Sequence, residues 1–425
     1  MKNKKALYLL LSANAVSGVA QGISMLAIPW YFADVLQMGS AFGVMYAIAT
    51  ILTLFWGLYV GTLIDKYSRK NIFLTITAVG CVFIGSVAAI GFFSGGLGAL
   101  GIGTVFCYTM FVYNIHYPTL YAFGQEISDK KDYRKINSLI EVQGQSTTII
   151  AGALAALLIT GVNAELLTKF GFENADFLLI EPWQMHEIFL LDAITYALAF
   201  VLILFIKYQK SFEETMNSGN IFNRLKSGFT YLKAHPLIFY FGISSFAIFV
   251  IVLIHIHQLL PLYISNHLQK SASVYASAEV LQAIGALSAG LGIHRLFYKT
   301  NTIKAIIILM VLAIVVLLIL VFTKSVSVLL LSCFILGLTN SGSRIMRVTY
   351  IFNHIPNNII GRTGSVFQSV NIFLRFVFIG IFSMAFFGES NHVIWTYFIV
   401  AFFILISLIP LVFFYRQLVS LKQPD

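Results

Sequence analysis

Arg375, Arg344, Glu141, Glu279 and His255 all stand inside long apolar runs of the chain. At the centre of a bilayer an ionised side chain costs about 2.5–3.5 kcal/mol on insertion scales, so each pairs with a neighbour, faces water or handles a ligand or ion. Arg375 lies thirteen residues beyond Arg362, about 20 Å along a helix, which is too deep for easy snorkelling. It reads either as an interhelical ion pair or as a cavity cation that meets substrate. Arg344 and Arg347 are one turn apart with Asn340 on the same face; they line a cavity or snorkel. Glu141 and Glu279 sit a turn or two inside their runs, where an acid can titrate as helices move, so both are proton-coupling candidates. His255 and His257 can titrate near neutral pH or simply pack, and His255 joins the coupling candidates. Asn14, Gln21 and Trp30 in the first run, with Tyr113 and His116 in the fourth, are cavity-lining candidates. Asp34 and Asp192 fall near run ends and read as interfacial. On this reading the deepest charge is a cation and no acid lies equally deep. A cationic drug would need a buried acid, so an anionic or neutral amphiphile is the expected substrate.

The elements that position these groups are membrane spans. Of 425 residues, 59% are hydrophobic and 10% charged, against roughly 25% charged in a soluble domain. Mean hydropathy is +0.87. The pattern predicts an all-α polytopic membrane protein of twelve spans, at about 6–33, 39–63, 71–94, 97–121, 137–161, 188–207, 236–264, 272–298, 303–323, 326–350, 362–387 and 393–415. With the N-terminus inside, 23 of the 27 Lys and Arg fall in the inner loops and tails or at the inner ends of the spans beside them, against Lys169, Lys270 and Lys324 outside and Arg375 mid-span. Both termini are therefore expected in the cytoplasm, with the chain multi-pass in the cell inner membrane. The basic N-terminus leads into the first span with no cleavage site and reads as part of it. The net charge of +10 belongs to this loop pattern, so no nucleic-acid partner is expected.

Two longer polar stretches interrupt the spans. Residues 208–235 divide the chain into bundles 1–207 and 236–425. Within that linker Ile221, Phe222, Leu225, Phe229 and Leu232 recur at helical spacing opposite Arg224, Lys226 and Lys233, which predicts an amphipathic helix on the membrane surface. The second stretch, Asn163 to Glu187, reads as an outer insertion with a short interfacial helix. The halves echo each other weakly: span four ends in Tyr113-Asn114-Ile115-His116-Tyr117-Pro118 and span ten in Tyr350-Ile351-Phe352-Asn353-His354-Ile355-Pro356. Such repeats are common in transporters.

Between spans two and three stands Gly61-Thr62-Leu63-Ile64-Asp65-Lys66-Tyr67-Ser68-Arg69-Lys70. Gly61 is one turn from Asp65, so a neighbouring helix can approach the acid, and Arg69 and Lys70 add cations at the inner face. The stretch resembles the G-x-x-x-D-[RK]-x-[GS]-[RK]-[RK] signature of the major facilitator superfamily at every fixed position. The resemblance implies two pseudo-symmetric six-helix bundles that rock about a midplane cavity. It also implies a gate formed by Gly61, Asp65, Lys66, Arg69 and Lys70 against the start of span eleven near Gly361-Arg362. Pro118-Thr119-Leu120, Arg134-Lys135-Ile136-Asn137-Ser138-Leu139, Leu191-Asp192-Ala193-Ile194-Thr195-Tyr196 and Pro356 with Gly361-Arg362 are similar to the macrolide-efflux and enterobactin-exporter branch. Span five departs from the antiporter pattern, since Gly144 to Ala156 holds no proline.

No enzyme constellation, nucleotide loop or metal-ligand cluster is present in the sequence, and Cys81, Cys107 and Cys333 lie in apolar runs as small hydrophobes. No cofactor is expected. The resulting expectation is a monomeric secondary transporter that exports a small amphiphile in exchange for protons. Uptake of a nutrient or metabolite stands as the alternative, and so does a transport-inactive scaffold or sensor that keeps the fold.

Overall fold

The computed structural model describes residues 4–129, 133–162, 179–207 and 221–421, without the side chains at 58, 61, 62, 65, 133–135, 221, 222, 224, 294, 357, 358 and 390. Thirteen long helices carry these residues: α1 (Lys4–Trp30), α2 (Gly39–Lys66), α3 (Arg69–Ser94), α4 (Ala99–Glu126), α5 (Tyr133–Thr160), α6 (Met185–Leu204), α7 (Ile221–Ala234), α8 (Pro236–Leu268), α9 (Ala272–Leu296), α10 (Thr302–Phe322), α11 (Val326–His354), α12 (Asn357–Phe382) and α13 (Val393–Phe413). Eleven candidate spans among the described residues are long and apolar enough to cross a membrane. α4 is equally long, but Asn114 and His116 inside its run keep it below the same hydropathy. Among the described residues the single non-helical pairing is an isolated bridge between Val162 and Ile180. The chain is an all-α polytopic membrane protein, as the hydropathy pattern implies.

Local chemistry sets the helix ends. The Ser68 hydroxyl accepts from the Asn71 N–H at 3.2 Å and starts α3, and Asn301 does the same for α10 through the Lys304 N–H at 2.9 Å. Gln184 and Glu187 form a reciprocal capping box that begins α6 at Met185. Gly95, at φ 71°, ends α3 in the left-handed conformation. α8 is irregular: it breaks at Phe246 and carries π segments at His255–Leu259 and Tyr263–Leu268 around Pro261. The ring lacks an N–H, so the regular ladder cannot run through it.

The helices form two compact units. One comprises Met1–Met38, Phe55–Thr215 and Lys270–Val280; the other comprises Gly39–Leu54, Met216–Gln269 and Leu281–Asp425. In the first, Gly18 and Gly22 of α1 face Thr147 and Ala151 of α5 so closely that a Cβ on Gly22 would meet Ala151 Cβ at 2.6 Å. Small residues at such seams let membrane helices approach, because apolar burial alone does not drive them together in lipid. On α3, Gly80 leaves room for the Tyr196 ring of α6, which a Cβ would meet at 2.7 Å. In the second unit, α9 and α11 cross at Gly285 and Gly337. A Cβ on either would run into a backbone carbonyl of the other helix, Phe334 O for Gly285 and Gln282 O for Gly337.

The amphipathic helix expected in the linker forms as α7, and one edge of it packs on protein. In α7, Leu232 is buried in a cluster with Ile238, Ile355, Val366 and Phe367, while a Cβ on Gly228 would strike the Arg362 carbonyl. Leu225 and Leu232 pack against α12 and its neighbours, and Phe229 remains exposed. Gly228→Leu is therefore expected to lift α7 off α12, at a cost of about 1–3 kcal/mol for overpacking. Hydrogen–deuterium exchange over residues 221–234 should rise in that variant and stay unchanged in Phe229→Leu. The expected short helix in Asn163 to Glu187 falls on residues outside the described ones up to 178. Beyond them, Ile180 bridges Val162 and the Trp183 N–H donates to Leu158 O at 2.7 Å.

Candidate substrate and coupling site

In the second unit a polar array surrounds Arg375 on α12. Arg375 is 9% exposed and its guanidinium hydrogen-bonds the side chain of Tyr46, itself buried on the first half of α2. His257, on the first π segment of α8, lies in the electrostatic reach of Arg375 and meets the Tyr46 ring edge-on at 5.9 Å. One turn before Arg375, Asn371 is buried, and neither its amide nitrogen nor its oxygen has a partner among the described residues. One turn after it, the Ile379 carbonyl accepts from Gln258 Nε2 at 3.2 Å, which also donates to Ser383 Oγ at 3.2 Å. Gln258 Oε1 and Arg375 Nε are likewise buried without hydrogen-bond partners. Buried polar atoms in native proteins are nearly always satisfied, so a cluster of open ones calls for an explanation such as water or a bound group. Among the described residues no carboxylate pairs with Arg375, so the array offers a cation with amide donors and acceptors and no internal counter-charge.

The other two arginines of this unit are not equivalent. Arg347 of α11 is the buried one: it donates from Nη1 to the Ser245 carbonyl at 2.7 Å and covers the Phe246 ring at 3.7 Å. It thus braces α8 where that helix breaks, combining a hydrogen bond with aromatic stacking. Arg344 and Asn340 are half-buried on the same helix. His255 is part of the core: Nδ1 faces the Tyr397 hydroxyl at 3.2 Å and Nε2 faces Cys333 Sγ at 3.9 Å.

The first unit holds an acid-centred array. Asp192 of α6 is 0% exposed, and its Oδ2 accepts from Ser24 Oγ of α1 at 2.9 Å. Its Oδ1 has no partner among the described residues. One turn away on each helix, the Gln21 amide donates to the Tyr196 hydroxyl, and Tyr108 and Tyr113 of α4 also lie in the field of the carboxyl. A second network runs from His116 Nε2 to Asn14 Oδ1 at 2.7 Å and from Asn14 Nδ2 to Gln143 Oε1 at 3.2 Å, and Gln143 donates on to Leu11 O. Tyr121 donates to Glu141 Oε1 at 2.6 Å. Glu279 of α9 is buried with Oε1 unpartnered among the described residues, and Trp30 stacks on Tyr275 at 5.9 Å. A cavity of about 420 Å³ opens among α2, α3 and α4, with Trp56, Tyr67, Asn71, Ile76, Tyr108 and Phe111 in its wall.

At the motif end of this unit, Arg69 approaches Glu126 at the end of α4, 3.5 Å from Nε to Oε2. The Lys70 ammonium donates to Leu204 O at 2.9 Å and Ile206 O at 2.8 Å, capping α6. Cations suit a helix C-terminus, where carbonyls lack intrahelical partners. Lys66 sits over the Tyr67 ring at 5.4 Å. Lys70→Met is expected to lower stability by about 1–2 kcal/mol, the net worth of charged hydrogen bonds near the surface. A thermal-unfolding shift in Lys70→Met larger than in Lys66→Met would record it.

The family model for the Major Facilitator Superfamily matches residues 125–379. The chain belongs to this superfamily. No curated protein sequence matches it. Solved structures agree in fold. The nucleoside transporter NupG is 14% identical at a TM-score of 0.68, covering 97% of this chain and 99% of that one. A bacterial homolog of the human lysosomal transporter Spinster, inward-facing and occupied, is 11% identical at 0.72, covering 100% and 99%. The D-xylose-proton symporter is 12% identical at 0.66, covering 96% and 97%.

In this major facilitator the cavity candidates separate by unit. Asn14, Gln21, Trp30, Tyr113 and His116 belong to the first; Asn340, Arg344 and Arg375 belong to the second. Asn14 and His116 are brought into direct contact, whereas Glu141, Glu279 and His255 share no hydrogen bond with one another among the described residues. Of the gate motif, the side chains of Gly61 and Asp65 lie outside the described residues, and Arg69 and Lys70 bind within their own unit. Two expectations are corrected. Asp192 is not interfacial but fully buried, seven residues and about 10 Å into α6. Nor is Arg375 more deeply buried than every acid, because Asp192 is 0% exposed and Glu279 5% against 9% for Arg375. Sequence reading also passed over Tyr46, Asn371 and Gln258. The one available signal was that Asn371 is a turn from Arg375.

Proposed function

We propose that this chain is a proton-coupled secondary transporter that exports a small amphiphile with an anionic group by alternating access. We place it in the macrolide-efflux and enterobactin-exporter branch. The observation that carries the substrate class is the Arg375 array: a buried guanidinium with no carboxylate partner among the described residues, flanked by an Asn371 amide with both polar atoms open. A carboxylate or phosphate-like group supplies the missing charge and takes both N–H donors, and adjacent polar atoms of the ligand complete the amides. The buried acids no longer decide the charge sign by their absence. We assign the buried acids to coupling and the cation to recognition. Proton coupling accords with the fold's occurrence in a proton symporter. Export over uptake rests on the likeness at Pro118-Thr119-Leu120 and Leu191-Asp192-Ala193.

Everted vesicles with an acid interior and a pH-sensitive dye test this reading. Taurocholate, chloramphenicol and ethidium serve as anionic, neutral and cationic probes, with Asp65→Asn as control. Alkalinisation with taurocholate, lost in the control, is the expected result. A response confined to ethidium overturns the substrate class. Silence with all three ranks uptake or a scaffold role above export.

A further inference from the structure

Asp192 is a charge-bearing group that the recognition array does not use. It sits inside a membrane-spanning helix with no exposed surface, and one carboxyl oxygen is held by Ser24 while the other is open. The titratable groups set against it are Tyr108 and Tyr113 of α4 and Tyr196 of its own helix. α1 contributes Ser24 and Gln21 here, and the span of α3 beyond Lys70 carries no charged side chain. A carboxyl buried in a span with one hydroxyl donor and no cation beside it is a functional-site candidate rather than half of an ion pair. The neighbouring residues are shaped around it: Gly80 is kept free of a side chain so that Tyr196 can lie against α3, and Gln21 fixes the Tyr196 hydroxyl. Tyr108 reaches both the carboxyl field and the wall of the 420 Å³ cavity.

We infer that Asp192, held by Ser24 and within the electrostatic reach of Tyr108, Tyr113 and Tyr196, is the proton-carrying site of this transporter. This rests on the proton-coupled reading above and names the residue that performs it. In the step, Oδ1 of the carboxylate takes a proton from water on the acid side, and the carboxyl becomes neutral. When the site opens to the other side the O–H bond breaks and the proton returns to water, with no electron transferred. Ser24 stays hydrogen-bonded to Oδ2 throughout. It is a positioning residue.

Two measurements on the purified full chain test the proposal. In nanodiscs, infrared difference spectra between acid and alkaline buffer should contain a carboxyl C=O band that Asp192→Asn removes, Asp192→Glu retains at a shifted position and Glu279→Gln leaves in place. In proteoliposomes, Asp192→Asn should lose pH-driven taurocholate accumulation yet keep taurocholate exchange without a gradient, because binding and helix movement remain. Ser24→Ala should shift the pH profile of accumulation without abolishing it. A band unchanged in Asp192→Asn, or pH-driven accumulation at the wild-type level in that variant, overturns the assignment. Should wild type move none of the three amphiphiles, the transport reading fails, and the infrared band still decides whether Asp192 takes up the proton.

Discussion

Arg375→Gln is expected to weaken binding of anionic amphiphiles about 10- to 100-fold and to leave the protein at least as stable. The guanidinium contributes charge-assisted hydrogen bonds, each worth about 1.5–3 kcal/mol, so losing one weakens binding about 10- to 100-fold. The stability arm has the opposite sign from a structural ion pair. Breaking a buried pair leaves a stranded partner charge and costs about 3–5 kcal/mol, but no carboxylate lies against Arg375 among the described residues. Removing it instead relieves part of the roughly 2.5–3.5 kcal/mol that a charge in a span costs on insertion scales. Tyr46→Phe removes one neutral partner and should weaken binding by about 1 kcal/mol. Arg375→Lys should recover attraction without the bidentate fork. Scintillation-proximity binding of labelled taurocholate, with thermal unfolding of the same preparations, reads both arms. A large drop in melting temperature for Arg375→Gln would assign the residue to architecture.

The largest effect on stability is expected at the crossing of α9 and α11. Gly285 faces the Phe334 carbonyl and Gly337 faces the Gln282 carbonyl, so neither clash can be relieved by rotating a side chain. One backbone must move. Gly285→Leu should cost at least about 3 kcal/mol, the upper range for overpacking, and Gly337→Leu a similar amount. Gly285→Ala is milder and still destabilising. A single outward shift of one helix would relieve both contacts, so the double alanine variant should lose less than the sum of the single losses. Residues that share a backbone displacement couple in this way. Melting temperatures and size-exclusion profiles of the three alanine variants check it, and Gly290→Ala is a control, because nothing lies within 4 Å of a Cβ there.

The sequence shows the span pattern and the second-loop motif directly, because both depend on chemistry close along the chain. About twenty apolar residues make a span wherever they stand, and Gly61, Asp65, Arg69 and Lys70 need only fixed spacing to be recognised. Depth and partnership are different. Asp192 reads as interfacial if α6 starts at 188, but the Gln184–Glu187 capping box starts it at Met185. The contacts of α6 with α1 and α3 then remove the carboxyl from solvent. Arg344 and Arg347 are equivalent by spacing. Only the break in α8 at Phe246, which leaves the Ser245 carbonyl and the Phe246 ring for Arg347, decides which one is buried. Tyr46 meets Arg375 from more than three hundred residues away, and no local pattern records such a pairing. The amphipathic stripe of α7 was legible, but its partner was not, since lipid and the start of α12 satisfy the same apolar face.

Transport of anionic amphiphiles through the Arg375 array, driven by a proton gradient, is the proposed activity of this major facilitator. Uptake of radiolabelled taurocholate into proteoliposomes of the purified chain, with an imposed pH gradient that is then collapsed by an ionophore, tests it most directly. Accumulation above the outside concentration is expected, vanishing with the ionophore and in Arg375→Gln, while folded protein is recovered in equal amount. Accumulation that survives in Arg375→Gln, or that persists undiminished after the gradient is collapsed, would contradict it.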